Sequence, residues 1–259
     1  MNIQLLDKQE HSIKFVFKGI NSVIANTLRR LIVNEVPTMA IDVVEFNKNN
    51  SALYDETVAH RLGLVPLTTD LKSYNLPKDC KCEGKGCESC QLKLIIKSKG
   101  PCTVYSSEIK STDPKVKPVY DTIPIVKLVK DQELVVEATA VLGKGLEHMK
   151  FSPGLATYFG YPEFVIKSDS NIKSFIEKAP KGLCKADGKK IEFIDVLKWN
   201  EACFDYAKEN NIEIKLNEED FIFEIESWGQ LSTKEILTTA LMLFDEKLDE
   251  FSKLLKKIK

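Results

Sequence analysis

Four cysteines lie close together in the middle of the chain, in the segment CKCEGKGCESC at residues 80–90. They are Cys80, Cys82, Cys87 and Cys90, and their spacing is C-x-C-x4-C-x2-C. Thiolates are preferred ligands of Zn²⁺, which structural sites hold in a tetrahedron of four protein ligands. Gly84 and Gly86 lie between the two pairs, where the chain must fold back sharply. The spacing therefore predicts a structural zinc site with no position left for water or substrate.

Three other interpretations of these cysteines stay open. Cys87 and Cys90 match a C-x-x-C redox pair, although such a pair normally begins a helix in a βαβ context and a strand-like run follows here. An iron–sulfur cluster also takes four cysteines, but the C-x2-C-x2-C run of ferredoxins is missing. The thiols could also be free or oxidised, with no metal.

No residue constellation typical of catalysis accompanies the cysteines. The three histidines, His11, His60 and His148, lack a nearby second histidine and an H-E-x-x-H pattern. Neither a G-x-S-x-G elbow nor a G-x-x-x-x-G-K-[ST] phosphate loop occurs. We therefore expect this chain to carry no catalytic residues of its own.

Composition indicates a globular chain. Its 259 residues, 43% of them hydrophobic, suffice for one large domain or two to three small ones. The 37 basic and 38 acidic residues give a net charge of −1, so unaided sequence-specific binding of nucleic acid is not expected. The start MNIQLLDKQE lacks the features of a signal peptide, and no run approaches the ~18 apolar residues of a membrane span. We expect a soluble cytoplasmic protein. In the reducing cytoplasm, clustered cysteines more often bind metal than form disulfides.

Near the N-terminus, the alternating segment SIKFVFKG predicts a half-buried strand, and NSVIANTLRRLIVNEVP predicts a helix that Pro37 ends. The helix has one apolar stripe. Its members are Ile24, Ala25, Leu28, Leu31, Ile32 and Val36. Arg29 and Arg30 lie off the centre of this stripe. They belong either to a solvated face or to a contact with a partner.

Near the C-terminus, STKE forms a capping box in which Ser232 and Glu235 hydrogen-bond each other's backbone. The helix that follows has apolar residues spaced 4, 3, 4, 3, 4, 3, a 3.5-residue repeat. They are Leu237, Leu241, Phe244, Leu248, Phe251, Leu255 and Ile258. A helix of about 25 residues is about 38 Å long, whereas the N-terminal helix spans only about 15 residues and cannot cover it. This mismatch favours a helical partner from another chain over a seam within this chain.

Five segments in order resemble the D subunit of archaeal RNA polymerase, the counterpart of the third-largest subunit of eukaryotic RNA polymerase II and of bacterial α. They are NTLRRLIVNEVPTMAID, ALYDETVAHRLGLVPL, CKCEGKGCESC, LGKGLEHMKFSP and FEIESWGQLSTKEIL. The resemblance implies an α+β fold with a split α/β dimerisation domain (residues 1–40 and 212–259). It also implies an inserted β-rich zinc-loop domain (41–163) and a small ferredoxin-like third domain (164–211).

The resemblance also implies a function: a non-catalytic assembly subunit of DNA-directed RNA polymerase, a nucleotidyltransferase complex. The L subunit would pair with the helix at 232–257, the N and P subunits would join, and the pair would form the platform for the large catalytic subunits. The implied partner-binding residues are Ile24, Leu28, Arg29, Arg30, Leu31, Leu237, Leu241, Phe244, Leu248, Phe251, Leu255 and Ile258. The family's zinc loop matches the four clustered cysteines. The alternative function is a free-standing zinc-binding or redox adaptor, including a homodimer through the same seam.

One departure from the family concerns iron. Many archaeal D subunits hold an iron–sulfur cluster in the third domain, but residues 164–211 contain only Cys184 and Cys203. Two thiolates cannot hold a cluster that needs three or four. We therefore predict that this domain is kept and that its cluster is absent.

Overall fold

The structure is a computed structural model that describes residues 2–167, 170–188 and 190–258. These residues form twelve β-strands and five α-helices, which confirms the expected α+β class. The strands are β1 (Asn2–Lys8), β2 (Ser12–Lys18), β3 (Pro37–Asn49), β4 (Gln91–Lys99), β5 (Cys102–Tyr105), β6 (Lys110–Ser111), β7 (Pro124–Leu128), β8 (Glu133–Lys144), β9 (Gly154–Ile166), β10 (Cys184–Asp187), β11 (Lys190–Phe193) and β12 (Ile212–Ser227). The helices are α1 (Ser22–Asn34), α2 (Asp55–Gly63), α3 (Ile172–Lys178), α4 (Ala202–Glu209) and α5 (Thr233–Lys257). No helix in the described ranges has the length and apolar character needed to cross a membrane.

The chain divides into two compact units, each discontinuous in sequence. Unit 1 contains Met1–Lys8, Ile13–Asn26 and Thr157–Glu224, and unit 2 contains the remaining residues. The expected division into dimerisation, inserted and ferredoxin-like domains is a statement about family architecture and stays a prediction.

Unit 1 is built on a four-stranded sheet with the strand order β1-β2-β12-β9. On one face, the rings of Phe15 and Phe223 stack 5.4 Å apart, and Tyr158 stacks on Phe223 at 5.4 Å. Val16 and Ile222, on the other face, are also buried, because a second apolar cluster covers them. The strand predicted at residues 12–19 is present, but the prediction that it is half-buried is wrong, because both faces of its centre are covered.

A separate apolar cluster in unit 1 is formed by α3, α4, β10 and β11 with neighbouring residues. Cys184 and Cys203 are both buried in this cluster as free thiols. Their surroundings are aromatic and aliphatic, including Phe175, Ile191 and Trp199. The two thiols thus act as small apolar core residues.

Unit 2 contains a four-stranded sheet with the order β3-β8-β4-β6 and a two-stranded sheet of β5 and β7. Strand β4 alternates as the sequence indicates: Leu92, Leu94 and Ile96 are buried, whereas Lys93 and Lys97 are exposed. A strand with one face on the core and one in solvent has this pattern. The buried face joins the large apolar core of the unit, onto which α2 also packs.

Side chains cap the starts of α1 and α5, and the capping box predicted for α5 is confirmed. The Asn21 side chain caps α1, since its Oδ1 accepts a hydrogen bond from the Ile24 N–H at 2.9 Å. At the start of α5 both bonds of the capping box are present, between Ser232 and Glu235. Helix α1 ends at Asn34, and Pro37 begins β3.

Candidate metal centre and helical interface

The four clustered cysteines come together in space as their spacing predicts. The Sγ atoms of Cys80 and Cys87 lie 3.5 Å apart, as do those of Cys82 and Cys90. The Cys87–Cys90 separation is 3.8 Å, and all four sulfurs lie within 4.8 Å of one another. They are the one group of three or more potential metal ligands found among the described residues.

The backbone folds tightly to bring the sulfurs together. Between the two pairs, Glu83, Gly84 and Gly86 all have positive φ values of 53°, 79° and 87°. The positive φ values favour glycine at Gly84 and Gly86, and a Cβ at Gly86 would also displace the end of the Gln91 side chain. The second pair closes with a turn in which the Cys90 N–H donates to the Cys87 carbonyl at 2.9 Å.

The sulfur positions fit a tetrahedral metal. Four sulfurs bonded to one zinc ion at about 2.3 Å lie about 3.8 Å from one another. Three of the six sulfur pairs are separated by 3.5, 3.5 and 3.8 Å, close to this value, and all six lie within 4.8 Å. Cys80 and Cys90 are buried, and Cys82 and Cys87 are partly exposed. The four residues can therefore enclose a thiophilic cation and complete its coordination.

Without a metal, the pKa values of the four thiols differ. Burial raises the pKa of the Cys90 thiol to about 12. Burial also acts to raise the pKa of Cys82, but hydrogen bonds from Cys90 and Cys80 outweigh it and lower this pKa to about 6. Four thiolates this close repel one another, and a divalent cation is the partner that allows all of them to lose their protons.

Helix α5 presents most of its apolar residues to solvent. Thr233, Ile236 and Ala240 in its first turns are buried. Of the seam residues expected from the sequence, Leu237 and Phe244 are half-buried and the other five are exposed. The exposed fractions are 41% for Leu241, 48% for Leu248, 59% for Phe251, 48% for Leu255 and 81% for Ile258. The C-terminal half of the helix thus carries an uncovered apolar ridge.

Sequence reasoning missed one member of this ridge, Leu254, which is 50% exposed. It lies three residues after Phe251 and four before Ile258, so the three side chains share one face of the helix. A strict 3.5-residue repeat skips this position. The broader i, i+3, i+4, i+7 rule for amphipathic helices includes it.

The α1 residues that were expected to bind a partner fall into two groups according to their burial. Leu28 and Leu31 are buried within this chain, at 4% and 5% exposed. Ile24 and Arg30 are exposed, and Arg29 is half-buried. Only the second group offers side-chain surface to a partner in this conformation.

Comparison with known proteins identifies the family of this chain. Residues 44–155, which include the cysteine loop, match the family described as "RNA polymerase Rpb3/RpoA insert domain". Over 99% of its length the chain is 35% identical to DNA-directed RNA polymerase subunit Rpo3 of Archaeoglobus fulgidus, covering 98% of that protein. It is 38% identical to the Rpo3 protein of Pyrococcus furiosus over 100% of this chain and 98% of the relative. For Rpo3 of Methanosphaera stadtmanae the identity is 36%, with 96% of each chain covered.

Similarity of this extent places the chain in the class of DNA-directed RNA polymerase subunits. Within that class, the chain belongs to the archaeal Rpo3 family, which is the family of D subunits. The resemblance drawn from the sequence motifs is thereby confirmed at the level of this family.

Proposed function

We propose that this chain is the non-catalytic assembly subunit of an archaeal cytoplasmic RNA polymerase, and that it forms a heterodimer with the L subunit through α5. The heterodimer, joined by the N and P subunits, provides the platform on which the large catalytic subunits assemble. Chemistry on nucleotides belongs to those large subunits. In this role the chain is the counterpart of the third-largest subunit of RNA polymerase II and of bacterial α.

The exposed ridge of α5 is the observation that carries this proposal. Single exposed apolar side chains are ordinary on protein surfaces, whereas a contiguous apolar patch marks an interaction site. The ridge has five members, which lie along the C-terminal half of α5 and its C-cap. They are Leu248, Phe251, Leu254, Leu255 and Ile258. Burying such side chains is worth about 25 cal/mol per Å² of apolar surface removed from water, so a partner helix that covers them binds strongly.

The start of α5 and an ion pair hold the helix so that this ridge projects. Ile236 and Ala240 pack inside the chain. Lys247, the residue before the first member of the ridge, pairs with Glu35 at 2.8 Å. On α1, Ile24 and Arg30 are exposed, and we assign both to contacts with L.

Leu28 and Leu31 are both buried within this chain. Their part in pairing is to fix the position of α1 rather than to contact L. Arg29 is half-buried, so only part of its side chain is available to L.

In the cysteine loop we assign Zn²⁺ as the resident metal. The four-sulfur donor set and the sulfur separations suit zinc, and no open coordination position remains for catalysis. When bound, zinc supplies a structural crosslink for a loop that has few apolar residues of its own. The family architecture of dimerisation (1–40 and 212–259), inserted (41–163) and ferredoxin-like (164–211) domains is part of the same proposal, with no iron–sulfur cluster in the last.

Gel filtration of the purified chain, alone and with L, tests the proposed function. We expect the chain alone to self-associate or aggregate through its ridge, and addition of L to give a stable 1:1 complex. A monodisperse monomer that does not bind L would contradict the proposal and favour the free-standing adaptor. A homodimer that L cannot dissociate would also favour the adaptor.

A further inference from the structure

The charges of the chain are unevenly distributed along its sequence. Residues 72–130 contain twelve lysines against six acids, a net charge of +6, although the whole chain has a net charge of −1. This segment runs from the base of the cysteine loop through β4, β5, β6 and β7, all within unit 2. The balanced total therefore hides a basic region.

Four of these lysines lie on the open face of the sheet β3-β8-β4-β6. Strand β4 turns every second residue towards the core, and the residues between them are exposed. Lys93, Lys97 and Lys99 are on this outer face, together with Ile95, which is 45% exposed. Lys110 of β6 is exposed and pairs directly opposite Ile95, and directly opposite residues share a face. We call the four lysines the lysine face.

The lysine face follows a line along β4. Alternate residues of a strand lie about 6.8 Å apart, so Lys93 and Lys99 are separated by about 20 Å. Lys110 lies beside this line, one strand spacing of about 4.8 Å away. Because a DNA strand carries one phosphate per about 3.4 Å of helix axis, the line matches the length of about six successive phosphates.

Most of the lysine face has no acidic partner within the chain. Lys93 contacts Glu45 at 3.8 Å. Lys97, Lys99 and Lys110 form no ion pair with any residue in the described ranges. Their ammonium groups are therefore available to an anionic ligand.

The one acid beside the end of this line is already neutralised. Glu133 lies opposite Lys99 on β8 and pairs with Lys48 at 2.6 Å. The pKa of Glu133 is lowered, mainly by the hydrogen bond from Lys48 and further by the charges of Lys99 and Lys97. Positive charge thus dominates this end of the sheet.

Acidic residues border the lysine face on its other side. Glu45 of β3 and Glu137 of β8 lie opposite each other, and Glu137 also lies opposite Ile95. Both glutamates are exposed. Because carboxylates repel phosphates, an anionic chain on this face follows β4 and the β6 edge and does not cross the sheet.

We propose that the lysine face binds the sugar–phosphate backbone of duplex DNA without reading its sequence. The inference rests on the proposed function, since a subunit of an RNA polymerase works beside the duplex that the enzyme transcribes. Lysines that neutralise phosphates release the counterions condensed on DNA, which drives binding of this kind. Contacts to the backbone fix position on the duplex and carry no sequence information.

The residue types on this face favour a duplex over a single strand. Proteins that hold single strands stack the bases on aromatic side chains. Among the described strands of this sheet no outward-facing residue is aromatic, and Phe46 of β3 packs against the core. A duplex presents its phosphates on the outside and needs no stacking partner.

The triple variant Lys97→Gln with Lys99→Gln and Lys110→Gln tests this inference. We expect it to bind duplex DNA about tenfold more weakly than wild type at low salt, because three phosphate contacts are lost. The slope of log K against the logarithm of salt concentration should also become less steep by about 3. Fluorescence anisotropy of a labelled duplex, titrated with the chain in complex with L at several salt concentrations, measures both values.

The matched control is Lys173→Gln with Lys181→Gln and Lys208→Gln, which removes the same charge from exposed lysines of unit 1. This control should bind the duplex as well as wild type. An equal loss in both triple variants would overturn the inference, since net charge alone would then explain binding. No binding by wild type, unchanged binding by the lysine-face variant, or tighter binding of a single strand than of the duplex would also overturn it.

A photo-crosslinking amino acid at Ile95 gives a second readout in the assembled polymerase bound to a duplex template. We expect a crosslink to DNA from position 95 and none from Leu146, which is 68% exposed and lies outside this sheet. A crosslink from position 95 to another subunit, or no crosslink, would contradict the inference. Failure of the wild-type chain to pair with L counts against the proposed function alone, because the anisotropy titration can then be made on the chain without L.

Discussion

Lys247 Nζ lies 2.8 Å from Glu35 Oε1, and the other oxygen of the same carboxylate accepts from Lys144 at 3.1 Å. This one acid joins the middle of α5 to the strand β8 that carries Lys144. The side chain of Glu35 is only 17% exposed, so solvent screens the contacts less than at an open surface. The contact marks the place on α5 where cover by its own chain ends.

Glu35→Gln should destabilise the chain in a pH-dependent way. Burial acts to raise the Glu35 pKa, but hydrogen bonds from Lys247 and Lys144 outweigh it, and the net pKa is lowered from 4.5. Because the folded pKa is depressed, the stabilisation is complete above the ordinary pKa and is lost as pH falls through the lowered value. We expect a loss of about 1 kcal/mol at pH 7, measured by urea unfolding.

At a pH below the lowered pKa, wild type and Glu35→Gln should unfold alike. Glu246→Gln, an exposed acid on the same helix, is the matched control and should change stability little at either pH. A deficit of Glu35→Gln that persisted unchanged in acid would show that the charge of this residue is not what stabilises α5.

Leu241→Asp with Leu248→Asp should abolish pairing with L. Leu248 belongs to the exposed ridge, and Leu241, two turns earlier on the same face of α5, is 41% exposed. The substitutions would place two charges in a surface that pairing removes from water. Co-purification with tagged L measures the effect. The control Met242→Asp adds the same group to an exposed position away from the ridge, since Met242 lies about 120° around the helix from Leu248. Retention of L by the ridge variant would show that the interface lies elsewhere.

The sequence predicted features that depend on neighbours along the chain. The capping box at Ser232 and the strand after the cysteines are local patterns, and both are present. The meeting of Cys80 with Cys87 follows from a seven-residue separation and two glycines, so it too was predictable.

Features that depend on distant parts of the chain were less predictable. Val16 was expected on an open face of its strand, but a cluster that includes Val196, 180 residues away, covers it. Similarly, α1 shows one continuous apolar stripe, and only the tertiary fold decides that Leu28 is buried while Ile24 stays exposed.

Leu254→Ser should weaken pairing with L about as much as Leu255→Ser does. Both leucines are half exposed, at 50% and 48%, although only Leu255 belongs to the heptad repeat. Loss of a leucine side chain from a covered interface corresponds to about tenfold in affinity. Titration of L against each variant measures the dissociation constants. An unchanged constant for Leu254→Ser would mean that L contacts the narrow seam alone.

Metal analysis of the purified chain should find close to one zinc per molecule and no stoichiometric iron. Cys82→Ser should release the zinc, because three thiolates no longer close the tetrahedron. Cys102→Ser, which changes a cysteine outside the cluster, should keep it. Since the metal holds the loop, chelation should also lower the melting temperature of wild type and leave Cys82→Ser unaffected. Zinc retained in full by Cys82→Ser, or a visible iron–sulfur absorbance after anaerobic purification, would contradict these assignments.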